Sequence, residues 1–148
     1  MNRSNFLKTM AATVPAATVV PNLSHLAESE AGKVRITDVK CMRVQMDGRG
    51  HVLPLVRIDT DAGVYGIGEC HHDVTGLGAK DVVENAFKQI LVKQDPFDIA
   101  RLTEQMKFRV SYLGGNGGIG IHAVTGCEVA LWDLVGKLLG MPLRKILG

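Results

Sequence analysis

The stretch from residue 122 to residue 142, H-A-V-T-G-C-E-V-A-L-W-D-L-V-G-K-L-L-G-M-P, limits what this chain can fold into more than any other. Its apolar residues Val124, Cys127, Leu131, Leu134 and Leu138 recur at three- and four-residue steps, which lines them up on one face of an α-helix. Asp133 and Lys137 stand four apart with the acid first, the favourable order for a pair across one helical turn. Gly140 and then Pro142 supply the exit, a residue tolerant of positive φ followed by one that cannot continue the helical ladder. These features predict a long amphipathic helix packed on something larger.

The chain ahead of it supplies strands first and helices after. Val34, Ile36, Val39, Cys41 and Val44 fall in a β-rich run ending near residue 45, and a turn signalled by Asp47-Gly48 and Gly50 follows. Residues 52–60 read as a second strand, Asp61-Ala62-Gly63 as a hairpin connection, and residues 64–69 as a third strand. Gly66 and Gly68 thin that third strand so that another backbone or a side chain can approach closely. Residues 70–78 read as a loop. A helix is expected over residues 79–94, carried by Val82, Val83, Ala86, Ile90 and Leu91, and another over 97–108, with Pro96 in its first turn. Gly114 to Gly118 form a break before the long helix, and residues 143–147 begin one more turn. The expected class is α+β, a three-stranded antiparallel meander followed by a helical bundle.

Composition closes off several function classes. The 148 residues suit one ordinary domain, and a net charge of +2 without a Lys/Arg cluster gives no reason to expect nucleic acid as a partner. No uninterrupted apolar run approaches the ~20 residues of a bilayer span, so no membrane span is expected. The 3 cysteines, Cys41, Cys70 and Cys127, are odd in number and far apart. They read as half-buried thiols and not as a disulfide scaffold or zinc site.

Two local patterns invite chemistry. Gly115-Asn116-Gly117-Gly118-Ile119-Gly120 satisfies G-x-G-x-x-G, but the acid that should follow a second strand is missing, so dinucleotide binding is not expected. His71-His72-Asp73 lacks third and fourth ligands at metal-site spacing, so this chain is expected to bind no metal there. Glu69, Glu128 and Asp133 are not placed as an acid–base pair, and no catalytic residue is assigned.

The run Ala123, Gly126, Glu128, Ala130, Leu131, Trp132, Asp133, Gly136, Lys137 and Pro142 resembles the first signature of the mandelate racemase and muconate lactonising enzyme group of the enolase superfamily. Thr125 and Cys127 depart mildly from it. Asp59 to Glu69, with Gly63, Gly66 and Gly68, is similar to the same group's N-terminal capping domain. The resemblance covers residues 33–148. It implies an enolase N-terminal-like cap, with the TIM barrel absent from this chain.

Members of that group abstract the proton α to a carboxylate and stabilise the enediolate on Mg²⁺. The resemblance places the metal ligands and bases in the barrel, so this chain is expected to hold the substrate-shaping part, to bind no cofactor itself and to be inactive alone. The pattern looks most like the acid-sugar dehydratases, which act on galactonate-like substrates. A racemase or cycloisomerase of the same superfamily, or a stand-alone partner-binding domain, stays open. The expected ligand is a small-molecule carboxylate, a sugar acid, held together with the barrel.

By the resemblance, two loops over the barrel mouth, residues 46–51 and 70–78, touch the distal part of the substrate. Arg49, His51, His71 and His72 are the candidate substrate-binding residues there, as donors to hydroxyls or an anionic group; the alternative for each is a solvated loop side chain. A cap without its barrel leaves an apolar patch on its helices, which predicts self-association, a homo-oligomer, or poor solubility.

Residues 1–31 differ from the rest. Arg3 and Lys8 precede an Ala/Thr/Val-rich stretch, and Arg3-Ser4-Asn5-Phe6-Leu7-Lys8 resembles a twin-arginine export signal with Ser4 in place of the second arginine. The expectation is an exported, periplasmic product or the remnant of one; a leader without function leaves it cytoplasmic.

Overall fold

In the computed structural model, residues 31–45, 52–71, 74–113 and 117–148 are described. The leader (residues 1–30) and the turn at 46–51 lie outside the described residues.

β1 (Ile36–Gln45), β2 (Val52–Thr60) and β3 (Tyr65–Glu69) form one antiparallel sheet in the order β1-β2-β3. Asp61 to Val64 turn the chain between β2 and β3, with Gly63 at φ 72°, which costs a glycine nothing. The register sets Cys41 opposite Val56 and Val56 opposite Gly68. Val39, Cys41, Val56, Ile58, Gly66 and Gly68 are therefore on one face, the buried one, as the two-residue strand period requires. The other face carries Lys40, Met42, Arg57, Asp59, Tyr65 and Ile67, its charges paired with one another. Asp38, held by Lys88 at 2.5 Å and Lys40 at 2.9 Å, has its pKa lowered to about 2 by those two partners.

The expected loop up to residue 78 is shorter than the sequence implies. A helix, α1 (Val74–Val82), starts ahead of it, continues through a π-helical turn at Val83–Phe87, and ends as α2 (Lys88–Leu91). Gly76 and Gly78 argue for a loop by propensity. The packing decides otherwise, because a methyl group at Gly78 would stand 2.9 Å from Ile119. The π turn has its own reason. Ala79, Val83, Phe87 and Leu91 are all fully buried at a strict four-residue step, and an α-helix of 3.6 residues per turn drifts off such a step. One wider turn keeps the four side chains in line.

α3 (Ile99–Val110) begins two residues later than expected. Pro96 lies in a turn before it, where the Asp95 carboxylate accepts from the Phe97 N–H at 2.9 Å. A single 3₁₀ turn, Ser111–Leu113, follows. The long helix, α4 (Gly118–Leu138), starts four residues ahead of the stretch that signalled it. It ends as expected: Gly140 adopts φ 62°, and the Met141 N–H donates to the Gly136 carbonyl at 2.9 Å. α5 (Leu143–Ile146) follows Pro142.

The core lies between the sheet and the helices. Ile36, Val39, Val56 and Ile58 meet Phe87, Leu91, Leu102, Met106, Val110, Val124, Cys127, Leu131 and Leu134 there. The three thiols are free and more deeply buried than expected, with Cys41, Cys70 and Cys127 all inside this cluster. By length and composition α4 is apolar enough to cross a membrane, although no continuous apolar run in the sequence suggested it. Here it is the central core helix, with half of its most apolar window buried inside the domain.

Candidate substrate-capping surface

α4 lies directly on β3, and glycines on both sides make that approach feasible. A methyl group at Gly66 would stand 2.0 Å from the Ala130 carbonyl oxygen. At Gly68 it would stand 2.1 Å from the Gly126 carbonyl, and at Gly126 2.4 Å from the Cys70 sulfur. Helix backbone and strand backbone thus touch without intervening side chains. The fit explains why the glycines of the strand and Gly126 and Ala130 of the helix go together.

The same helix closes the free edge of the sheet. Asp133 accepts from the Ile67 N–H at 2.8 Å, and Lys137 donates to the Tyr65 carbonyl at 3.0 Å while pairing with Asp133 at 2.6 Å. The opposite edge is closed the same way by Lys80 of α1 and Glu84 of the π turn. Glu84 accepts from the Cys41 N–H at 3.2 Å, Lys80 donates to the Cys41 carbonyl at 3.1 Å, and the two pair at 2.5 Å. Each edge strand therefore meets an acid–lysine pair where a fourth strand would bond. Lys80 and the Cys41 N–H hold the Glu84 pKa below its ordinary value, the lysine being the larger cause.

Of the candidate substrate-binding residues, His71 is described; Arg49, His51 and His72 lie outside the described residues. His71 follows Cys70 directly, is half-buried, and faces His122 of α4, the ring centres 4.5 Å apart and the planes tilted by 55°. His122 carried no signal as a site residue, because its contact with His71 depends on how α4 crosses β3.

The acids serve other ends. Asp133 is engaged at the sheet edge, Glu69 is exposed at the end of β3, and Glu128 rides α4 half-buried. Among the described residues no group of three or more His, Cys, Asp and Glu side chains could hold a metal ion. A magnesium centre of oxygen ligands does not fit these described residues. Behind the sheet the Cys70 thiol donates to the Cys41 sulfur, which raises the Cys70 pKa and lowers that of Cys41; burial raises that of Cys127.

The helical side also exposes an aromatic pair. Phe108 is 75% exposed and Tyr112 90%. They border an open cleft of about 690 Å³ together with Ile90, Arg101, Gln105 and Arg109. The G-x-G-x-x-G run has no strand before it, since Val110 closes a helix and Gly120 packs against the Val110 side chain. The requirement for a dinucleotide turn is thus unmet.

Residues 33–148 match the model of the mandelate racemase / muconate lactonizing enzyme family, N-terminal domain. The chain belongs to this family. A D-galactonate dehydratase family member of Streptomyces sp. (strain SPB78) is 33% identical over 93% of this chain and 30% of its own length. D-xylonate dehydratase of Haloferax volcanii is 37% identical over 79% of this chain and 27% of its own length. The crystal structure of a mandelate racemase/muconate lactonizing protein from Paracoccus denitrificans PD1222, complexed with magnesium, superimposes with a TM-score of 0.73 at 36% identity. That match covers 78% of this chain and 30% of that one. The chain thus spans about 30% of the length of the relatives it matches. The three antiparallel strands and the helices after them are this family's N-terminal capping domain, and its first signature is the helix clamped on the glycine strand.

Proposed function

We propose that residues 33–148 are the substrate-capping part of a Mg²⁺-dependent acid-sugar dehydratase, which removes the proton α to a carboxylate and expels a hydroxyl. The observation that carries this reading is the capping fold at residues 33–148, shared with relatives named as dehydratases of sugar acids. The magnesium of the Paracoccus protein supports the metal requirement for the complete enzyme. In this reading the proton abstraction is assigned to the barrel that the complete enzyme would carry, and not to the cap. The cap's share is shape and polarity. The segment after β3, led by His71, offers ring N–H donors to the hydroxyls of the substrate, and the rigid α4–β3 contact fixes where that segment starts.

The test is solvent exchange. The 148-residue chain is incubated with Mg²⁺ and D-galactonate or D-xylonate in D₂O, and the α-proton signal is followed by NMR. The α-proton is expected to persist; its loss would show that the chain carries the base itself and overturn the capping role. For the dehydratase reading, DNA beyond the codon for Gly148 is expected to encode barrel strands ending in three acids. A stop codon with no such segment would sink it.

A further inference from the structure

We propose that the open cleft beside Phe108 and Tyr112 is the docking site of this chain's own residues 21–30. The two rings are the most exposed large hydrophobic side chains among the described residues. They stand four apart, and Ile90, Arg101, Gln105 and Arg109 line the cleft of about 690 Å³ with them, a surface for an apolar partner. The route of the chain says which partner. The Gly32 N–H donates to the Asp95 carboxylate, and Arg35 pairs with the same group at 3.6 Å. The Ile36 N–H donates to the Gln94 carbonyl at 3.0 Å. The Gln94 side chain in turn accepts from Arg101 at 2.9 Å, and Arg101 lines the cleft. The chain thus enters the domain at the Arg101 end of the cleft, with residues 1–30 ahead of that point.

Reach and chemistry both suit this segment. From Arg101 to Phe108 the helix α3 advances about 10 Å. Residues 26–31, if extended, span about 16 Å, which brings Leu26 and then Leu23 within range of the rings. Pro21 opens the segment as a residue that a first helical turn tolerates. Leu23, Leu26 and Ala27 follow at three- and four-residue spacing, one apolar side to set against the aromatic pair. Glu28 and Glu30 lie between those leucines and the entry point, on the way past Arg101 and Arg109. Arg101 already pairs with Asp98, whereas Arg109 makes no ion pair among the described residues. Carboxylates at that rim orient the segment more than they tighten it. A tethered segment acts at an effective concentration of about millimolar, so it outcompetes a second copy while the protein is dilute. As concentration rises, the same contact exchanges between chains. The inference is independent of the dehydratase reading, since it needs neither substrate nor barrel.

The test places a nitroxide on Ser24→Cys in the full 148-residue chain; Cys41, Cys70 and Cys127 are buried and stay unlabelled. In dilute ¹⁵N-labelled chain that carries the nitroxide, the amide signals of residues 104–112 are expected to broaden. They are expected to stay sharp when nitroxide-bearing chain without ¹⁵N is mixed with ¹⁵N-labelled chain without nitroxide. Leu23→Asp combined with Leu26→Asp alters the segment, and Phe108→Ser combined with Tyr112→Ser alters the cleft. Each pair is expected to abolish the broadening, and unchanged amide signals of the buried Val39, Ile58 and Leu131 verify that the domain stays folded. Three results would overturn the proposal: no broadening on α3, broadening in the mixed sample, which puts a second copy in the cleft, or broadening that survives both pairs of substitutions.

Discussion

Gly68 has no room for a single methyl group. A Cβ there would sit 2.1 Å from one carbonyl oxygen of α4 and 2.6 Å from the backbone nitrogen of Ala130, and neither atom can swing aside as a side chain would. Gly63 is the opposite case: its φ of 72° favours glycine, yet nothing lies within 4 Å of the same construction. Gly68→Ala is therefore expected to destabilise the domain by at least about 3 kcal/mol, because helix and strand must separate. Gly63→Ala is expected to cost only about 1 kcal/mol of backbone strain. Urea unfolding of the two variants checks the ranking; equal losses would mean that the α4–β3 contact does not limit stability.

At the level of the element, the sheet is small and both of its edge strands end in bonds to side chains. Asp133 and Lys137 cover β3, and Lys80 and Glu84 cover β1. A lone surface ion pair contributes little; here each carboxylate also satisfies a strand N–H, which makes its loss more costly. Asp133→Ala is expected to cost about 1–2 kcal/mol, while Asp133→Asn, which keeps an acceptor for Ile67, should recover part of it. Denaturant midpoints of the two variants provide the measurement. Equal losses would show that the ion pair and not the edge bond matters. The π turn is a second device at this scale, setting Phe87 into the centre of the core.

Taken as a whole, the domain places its thiols and aliphatic side chains inside and leaves Phe108 and Tyr112 outside, beside a cleft on the helical side. Two large aromatic side chains exposed side by side favour association. The 148-residue chain is expected to self-associate with rising concentration, and Phe108→Ser combined with Tyr112→Ser should shift sedimentation toward the monomer. Because both side chains are already in solvent, stability should change by less than about 0.5 kcal/mol per site. Sedimentation identical to that of the unaltered chain would remove this patch as the cause.

The sequence by itself determined the order and kind of the elements. The β-rich apolar run in residues 52–60, the glycine-bearing strand and the three- and four-residue apolar steps around Leu131 are each local signals, and a local signal needs no partner to be read. The family signature was legible for the same reason, as a run of side chains on one helix. Tertiary structure alone decided what those residues touch. The strand at 64–69 did not reveal that its glycines abut Gly126 and Ala130, nor did Lys80 and Glu84, with the lysine first in the weaker order, reveal that they cap β1. The helix starting at Val74 went unread because packing overrode the glycine content at Gly76 and Gly78, and the π turn at Val83–Phe87 went unread because only the packing shows that Ala79, Val83, Phe87 and Leu91 are all buried. His122 came beside His71 only when α4 crossed β3, since a contact between residues 51 positions apart is set by the packing of two elements and not by the propensity of either.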